Sequence, residues 1–160
     1  MINMIDYHYA KPNKFAYLVP KSGLNMYIKQ SNGKDNISFR INCEIRGIEE
    51  KETGKYILKL YNTDTEFQTF ITELEKCIRK CATKCKDFTY FKSNMKSDFF
   101  KTKVKYRYSK FEVKCYKDSF MIPPNEITPC KARVLLELQN VWKVNQYYGC
   151  LWTVREIVCN

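Results

Sequence analysis

From Ile37 to Ile45 the sequence ISFRINCEI alternates without a break. Ile37, Phe39, Ile41, Cys43 and Ile45 share one parity, and Ser38, Arg40, Asn42 and Glu44 share the other. Successive side chains on a strand point to opposite faces, so the pattern predicts a strand with one buried and one wet face. Upstream, NMYIK (25–29) predicts its partner strand, because QSNGKDN between the two is rich in turn residues. Downstream, EEKETG predicts a turn into a third strand, KYILKLY (55–61), with Tyr56, Leu58 and Leu60 toward the core. Residues 1–23 read as an extended lead-in punctuated by Pro12, Pro20 and Gly23.

At Phe67 the period changes. Phe67, Phe70, Ile71, Leu74, Cys77, Ile78, Cys81 and Cys85 recur at spacings of three and four, the stripe of an amphipathic helix. Thr63 and Glu66 have the spacing of a capping box, and acidic residues early with basic residues late suit the helix dipole. The cysteines Cys77, Cys81 and Cys85 continue the apolar stripe, so they read as small core hydrophobes.

Beyond the helix, FFKTKVKYRYSKFEVKCYK (99–117) alternates again, but its parity slips once. Phe100, Thr102, Val104, Tyr106 and Tyr108 lie opposite Lys101, Lys103, Lys105 and Arg107, which places both tyrosines toward the core. From position 110 the apolar residues are Phe111, Val113 and Cys115. The slip at Ser109–Lys110 predicts a bulge or a tight turn between two strands. MIPPNEITP (121–129) reads as a loop, and ARVLLELQNVWKV with YGCLWTVREIVC reads as a closing hairpin. Trp142 and Trp152 lie in these apolar strands and are expected in the core.

The 28 Lys and Arg residues exceed the 17 Asp and Glu by 11, and the excess is local. Between Lys86 and Lys117 ten cations face three acids. Alternate residues on a strand are about 6.6–6.8 Å apart. Lys101, Lys103, Lys105 and Arg107 are therefore expected to track one polyanion backbone, with Lys92, Lys96 and Lys114 beside them. Each neutralised phosphate releases a counterion, which makes such binding tight, sequence-tolerant and salt-sensitive. Binders of single strands add aromatic faces on which bases stack. The candidates on the polar face or in loops are Tyr61 beside Lys59, Tyr90 and Phe91 beside Lys92, Tyr116 beside Lys114, and Tyr147 with Tyr148. The alternatives for the lysine row are the solvated face of an edge strand, where lysine guards against aggregation, and a basic surface that docks an acidic protein.

Enzymatic signatures are missing. There is no glycine-rich phosphate loop, the one histidine is His8, and no acidic pair sits in a recognisable metal or glycosidase context. The eight cysteines include no C-x-x-C pair. These features predict a non-catalytic protein without metal or cofactor. MINMIDYHYAKPNK has no apolar core of signal-peptide length and no run approaches a membrane span, so an intracellular protein with reduced thiols and no membrane partner is expected.

The element order is three strands, a helix, then strands ending in a hairpin. The expected fold is mainly β (α+β): residues 1–160 form one OB-fold-like barrel, with one long helix between the third and fourth strands and a C-terminal β-hairpin. The blocks VPK (19–21), FQTFITELEKCI (67–78), YFKSNMKSDFFKTKVKY (90–106) and NVWKVNQYYGCLWTVREIVC (140–159) carry a resemblance over nearly the whole chain. The chain resembles the single-stranded DNA-binding proteins of nucleo-cytoplasmic large DNA viruses, a family related to the replication single-stranded DNA-binding protein of T-odd phages. That resemblance implies an OB-fold that coats unwound DNA in viral replication, repair or recombination. It further implies replication proteins as partners, at a nuclear or cytoplasmic replication site of the host cell. The phage proteins end in an acidic partner-recruiting tail, which the residues REIVCN do not resemble. RNA remains open as the ligand, since nothing in the residues shows whether a 2′-hydroxyl is read.

Overall fold

A computed structural model describes residues 2–19 and 24–160; Pro20, Lys21 and Gly23, and with them part of the VPK block, lie outside the described residues. In chain order the strands before the helix are β1 (Ala16–Leu18), β2 (Tyr27–Lys29), β3 (Ser38–Ile45), β4 (Glu49–Glu52) and β5 (Lys55–Tyr61). Helix α1 (Thr65–Ala82) follows. Then come β6 (Tyr90–Lys92), β7 (Phe99–Val104), β8 (Tyr106–Arg107), β9 (Lys110–Phe111), β10 (Lys114–Lys117), β11 (Phe120–Ile122), β12 (Cys130–Val144) and β13 (Tyr147–Cys159). The fold is mainly β with one α-helix. No helix among the described residues is long and apolar enough to cross a membrane.

The pairings form a circuit. β3 pairs with β5, β5 with β7, β7 with β13, β13 with β12, and β12 with β3. All are antiparallel except β7 with β13. Two seams are thin, each a single registered pair, Glu44 with Tyr61 and Lys103 with Thr153. The long β12–β13 hairpin, predicted from the sequence, is the main support of the sheet. Its register shifts twice: Arg155 is the extra residue on β13 opposite Leu135/Leu136, and Gln139 is the extra residue on β12 between Leu138 and Asn140.

One edge of β13 belongs to β12. The other edge is shared by three segments in sequence order, all parallel to it: β6 against 147–149, β7 at Thr153, and β10 against 156–159. The chain from Tyr90 to Lys117 is thus laid along a single strand. Between Gly149 and Thr153 that edge has no strand beside it.

Inside the circuit, Phe39 meets Tyr7, Phe67, Phe70 and Trp152 at ring-centroid distances of 5.3–5.9 Å. Helix α1 supplies Phe67, Phe70, Ile71, Leu74 and Ile78 to this core, as its stripe predicts. Its N-cap is Asp64, whose side chain accepts from the Phe67 amide at 2.6 Å, one residue later than the predicted Thr63 box. Asp64 also accepts from the Tyr7 hydroxyl at 2.5 Å, which ties the N-terminal segment to the helix start.

Other elements differ from the sequence expectations. The strand at 25–29 pairs with β1 and bridges Met26 to Val141; toward β3 it makes, among the described residues, only the bridge between Lys29 and Asn36. The EEKE run is not a turn but edge strand β4; the reversal is confined to Thr53–Gly54, where Gly54 has φ +76°. Charged side chains on an edge strand hide its alternation. With these short strands added, the helix follows the fifth strand of the chain, not the third, and it joins the second and third strands of the circuit. Residues 1–23 are not merely extended. Tyr7 is buried and residues Pro12–Lys14 form a 3₁₀ turn. Residues 121–129 hold the end of β11 and a second 3₁₀ turn at Pro124–Glu126.

Candidate nucleic-acid interface

Strand β7 buries Phe100, Thr102 and Val104 and exposes Lys101 and Lys103. The buried Thr102 hydroxyl donates to the Leu58 carbonyl at 2.7 Å, so it leaves no orphan polar group. Lys101 lies opposite Lys59 on β5, and like charges directly opposite each other repel. Lys59 is drawn away by Glu49 at 3.4 Å and by the Phe99 ring at 4.8 Å, leaving Lys101 without a counter-ion.

The break in the β13 edge becomes a groove of about 410 Å³. Its floor includes Ile57, Trp142, Leu151 and Trp152, and six lysines line it: Lys51, Lys55, Lys92, Lys96, Lys101 and Lys103. The β4–β5 side is internally balanced, since Glu49 lies 3.9 Å from Lys51 and Glu52 lies 3.1 Å from Lys55. Among the described residues no carboxylate lies within 4.0 Å of Lys92, Lys96, Lys101 or Lys103. These four ammonium groups form a row with no carboxylate at ion-pair distance, a geometry that attracts anions.

The loop between β6 and β7 is held firmly. Asn94 and Lys101 exchange hydrogen bonds, with the Lys101 amide donating to the Asn94 carbonyl at 2.9 Å and Asn94 Nδ2 donating to the Lys101 carbonyl at 2.8 Å. Ser93 Oγ donates to both carboxylate oxygens of Glu75 on α1, at 2.9 and 2.7 Å. Burial raises the Glu75 carboxyl above the ordinary carboxylate range, opposed by the Ser93 hydrogen bond and then by Arg79 and Lys96.

At one end of the groove Tyr90 and Tyr147 are partners in register, 53% and 43% exposed, with ring centroids 5.3 Å apart and planes inclined by 36°. Lys92 Nζ lies 4.8 Å over the Tyr147 ring and joins this pair to the lysine row. Lys59 and Tyr61 lie beside a neighbouring depression that shares Lys96 with the groove. There the Arg46 guanidinium covers one Tyr61 face at 3.9 Å.

Other expected site residues are elsewhere. Tyr148 is only 3% exposed and Phe91 packs against it at 5.2 Å; both support the surface rather than form it. The lysine row ends after Lys103, because β7 stops at Val104 and Lys105 turns to donate to Gln139 Oε1 at 3.3 Å. Arg107 belongs to the separate β8–β9 hairpin. Lys114 and Tyr116 pair with Glu156 and Val158, about 30 Å along β13 from Tyr147. Tyr108, assigned to the core by parity, is fully exposed, because the slip at Ser109 is a tight turn.

Sequence reasoning missed Lys51, Lys55 and Trp142. The Trp142 ring lies over Gly149, its cross-strand partner. A Cβ at Gly149 would sit 2.8 Å from that ring and 2.7 Å from the Lys92 carbonyl oxygen, so only glycine fits. A lone glycine opposite a tryptophan was the available signal. The β12 bulge at Gln139 concealed it, since it reverses which parity faces out.

Among the described residues one trio has the spacing to hold a metal ion. His8, Asp64 and Glu66 come within 4.8 Å of one another but are exposed and already engaged. His8 Nδ1 is 2.7 Å from Asp6 and Nε2 is 2.8 Å from Glu66, while Asp64 caps α1. Burial pushes the thiols of Cys43 and Cys115 up to about 12, so they stay protonated, the form that neither attacks nor ligates. No protein-family model, curated protein or solved structure matches this chain.

Proposed function

We propose that this protein binds single-stranded DNA without catalysis and with little sequence preference, in the groove between β6 and β7. The observation that carries the reading is the row Lys92, Lys96, Lys101 and Lys103, none with a carboxylate within 4.0 Å among the described residues, with the exposed Tyr90–Tyr147 pair at its end. Cations along a backbone and aromatic faces for bases are the two components of single-strand binding.

The fold supports the same reading. Taken in chain order, the circuit runs first, second, third, fifth, fourth and back to first, with its third and fifth strands parallel. That order resembles the connectivity of an OB-fold, whose barrels commonly bind oligonucleotides, and it supports the reading. The helix departs from that pattern, since it follows the second strand of the circuit instead of the third. Coating of unwound viral DNA and contact with replication proteins remain the expectation from the family resemblance.

The test is fluorescence anisotropy with labelled single-stranded and duplex DNA of one sequence over a salt series. Preference for the single strand, with affinity falling as salt rises, is the expected result. Equal affinity for both forms would mark a general polyanion surface, and no binding at low salt would overturn the reading. Competition by a ribo-oligomer separates RNA from DNA, and competition by an acidic polypeptide tests the protein-docking alternative.

A further inference from the structure

Among the described residues, the non-glycine positions with positive φ are Asn62, Asp87, Tyr108, Ser109, Asp118, Ser119 and Asn145. All but one are short polar residues. A bulky residue there is an outlier, and Tyr108 adopts φ 53°. Tyr108 and Ser109 are the two central residues of the turn joining β8 to β9, both with positive φ, as a type I′ turn requires. Asn-Gly and Asp-Gly are the sequences such a turn favours.

The strain gains nothing in packing. Tyr108 is 96% exposed. The hairpin is held instead by Tyr106 and Phe111, whose rings lie 4.9 and 4.7 Å from Tyr56 and 4.9 Å from each other. Beside Tyr108, Arg107 and Lys110 are exposed and have no carboxylate within 4.0 Å among the described residues. The hairpin leaves β7 just past Lys103, and Tyr56 beneath it lines the groove. Tyr108 therefore stands beyond the Lys103 end, opposite to the Tyr90–Tyr147 end.

We propose that Tyr108, flanked by Arg107 and Lys110, is a second base-stacking station for a single strand that leaves the groove past Lys103. The inference rests on the groove reading above. The tyrosine presents a π face that any base can use, and the two cations hold the phosphates on either side. A short oligomer seated on the groove lysines does not reach the hairpin, whereas a longer one does.

The experiment compares wild type, Tyr108→Asn, Tyr108→Ala and Tyr108→Trp for binding to oligothymidylates of about 4 and about 12 nucleotides, lengths within the range of such sites. Thermal melting is measured in the same buffer. Asparagine suits the turn, so Tyr108→Asn is expected to melt above wild type while binding the long oligomer roughly tenfold more weakly. The short oligomer is expected to bind all variants alike, and Tyr108→Trp to keep wild-type affinity for the long one. Wild-type affinity for the long oligomer in both Tyr108→Asn and Tyr108→Ala overturns the proposal while leaving the groove reading intact. So does a Tyr108→Asn protein that melts below wild type, since the tyrosine would then be structural. A wild-type protein that binds neither oligomer overturns the groove reading, and this inference falls with it.

Discussion

Replacing Lys101 and Lys103 together by alanine is expected to halve the salt dependence of binding to an oligomer too short to reach the Tyr108 hairpin. Four ammonium groups line the groove without a carboxylate partner, and Lys101 and Lys103 are two of them. Each phosphate contact on a single strand contributes about −0.7 to the slope of log affinity against log salt. Four contacts give a slope of about −2.8, so affinity falls roughly fiftyfold between about 50 and about 200 mM salt. With two contacts the slope becomes about −1.4 and the fall roughly sevenfold. The variant itself should fold normally. Both side chains are exposed, and removing Lys101 relieves its repulsion with Lys59, so the stability change stays within about 0.5 kcal/mol.

The matched control is Lys51→Ala with Lys55→Ala. These lysines line the same groove but already neutralise Glu49 and Glu52, so fewer counterions wait to be released from them. Anisotropy titrations at four or more salt concentrations give both slopes. The reasoning fails if the Lys101/Lys103 variant keeps the wild-type slope. It also fails if the control lowers the slope as much, because ion pairing would then not distinguish the two walls.

Gly149→Ala should destabilise the fold by about 1–3 kcal/mol in urea titration, because the added carbon meets the Lys92 backbone and the Trp142 ring at once; wild-type stability would show that the floor of the groove yields freely. Asp64→Ala removes both the helix cap and the acceptor of the Tyr7 hydroxyl, with an expected loss of about 1–2 kcal/mol, and a loss near zero would mean that the N-terminal segment is not fastened there. His8 should titrate above 6.5, because its ring is hydrogen-bonded to the Asp6 carboxylate, with Glu66 adding to the effect. A histidine whose folded pKa is raised adds stability that is fully present below about 6.5 and is lost as pH rises through the folded value. As the one histidine in the chain it is resolved directly by NMR, and a midpoint at or below 6.5 would contradict the clasp.

The two periodic segments were legible because their patterns answer to local geometry. Phe39–Ile45 keeps its alternation, with only Ser38 of the polar parity buried, and Phe67 to Ile78 keeps its stripe, since each pattern needs one continuous element and one buried side. Where the backbone reverses or adds a residue, parity loses its meaning. That happened at Tyr108–Ser109, where an exposed tyrosine read as core, and on β12, where the extra residue Gln139 hid the outward face of Trp142. Closure of the circuit was also beyond reach, because β7 meets β13 across a long separation through one registered pair.

Charge density proved a better guide than charge spacing, and the topology explains why. The four-cation row expected from spacing holds for only two members, Lys101 and Lys103, because β7 ends at Val104. Lys92 and Lys96 complete the groove from β6 and its following loop, where no period links them to β7. They arrive there because residues 90–117 run along one edge of β13, so charges close in sequence are delivered in order along one line in space. The same ordering limits what one site can hold. Lys114 and Tyr116, as basic and aromatic as Lys92 and Tyr90, are carried about 30 Å down that edge, outside the site proposed around Tyr90 and Tyr147. A strand of nucleic acid that touched both groups would have to follow β13 for most of its length, past the hairpin that carries Tyr108.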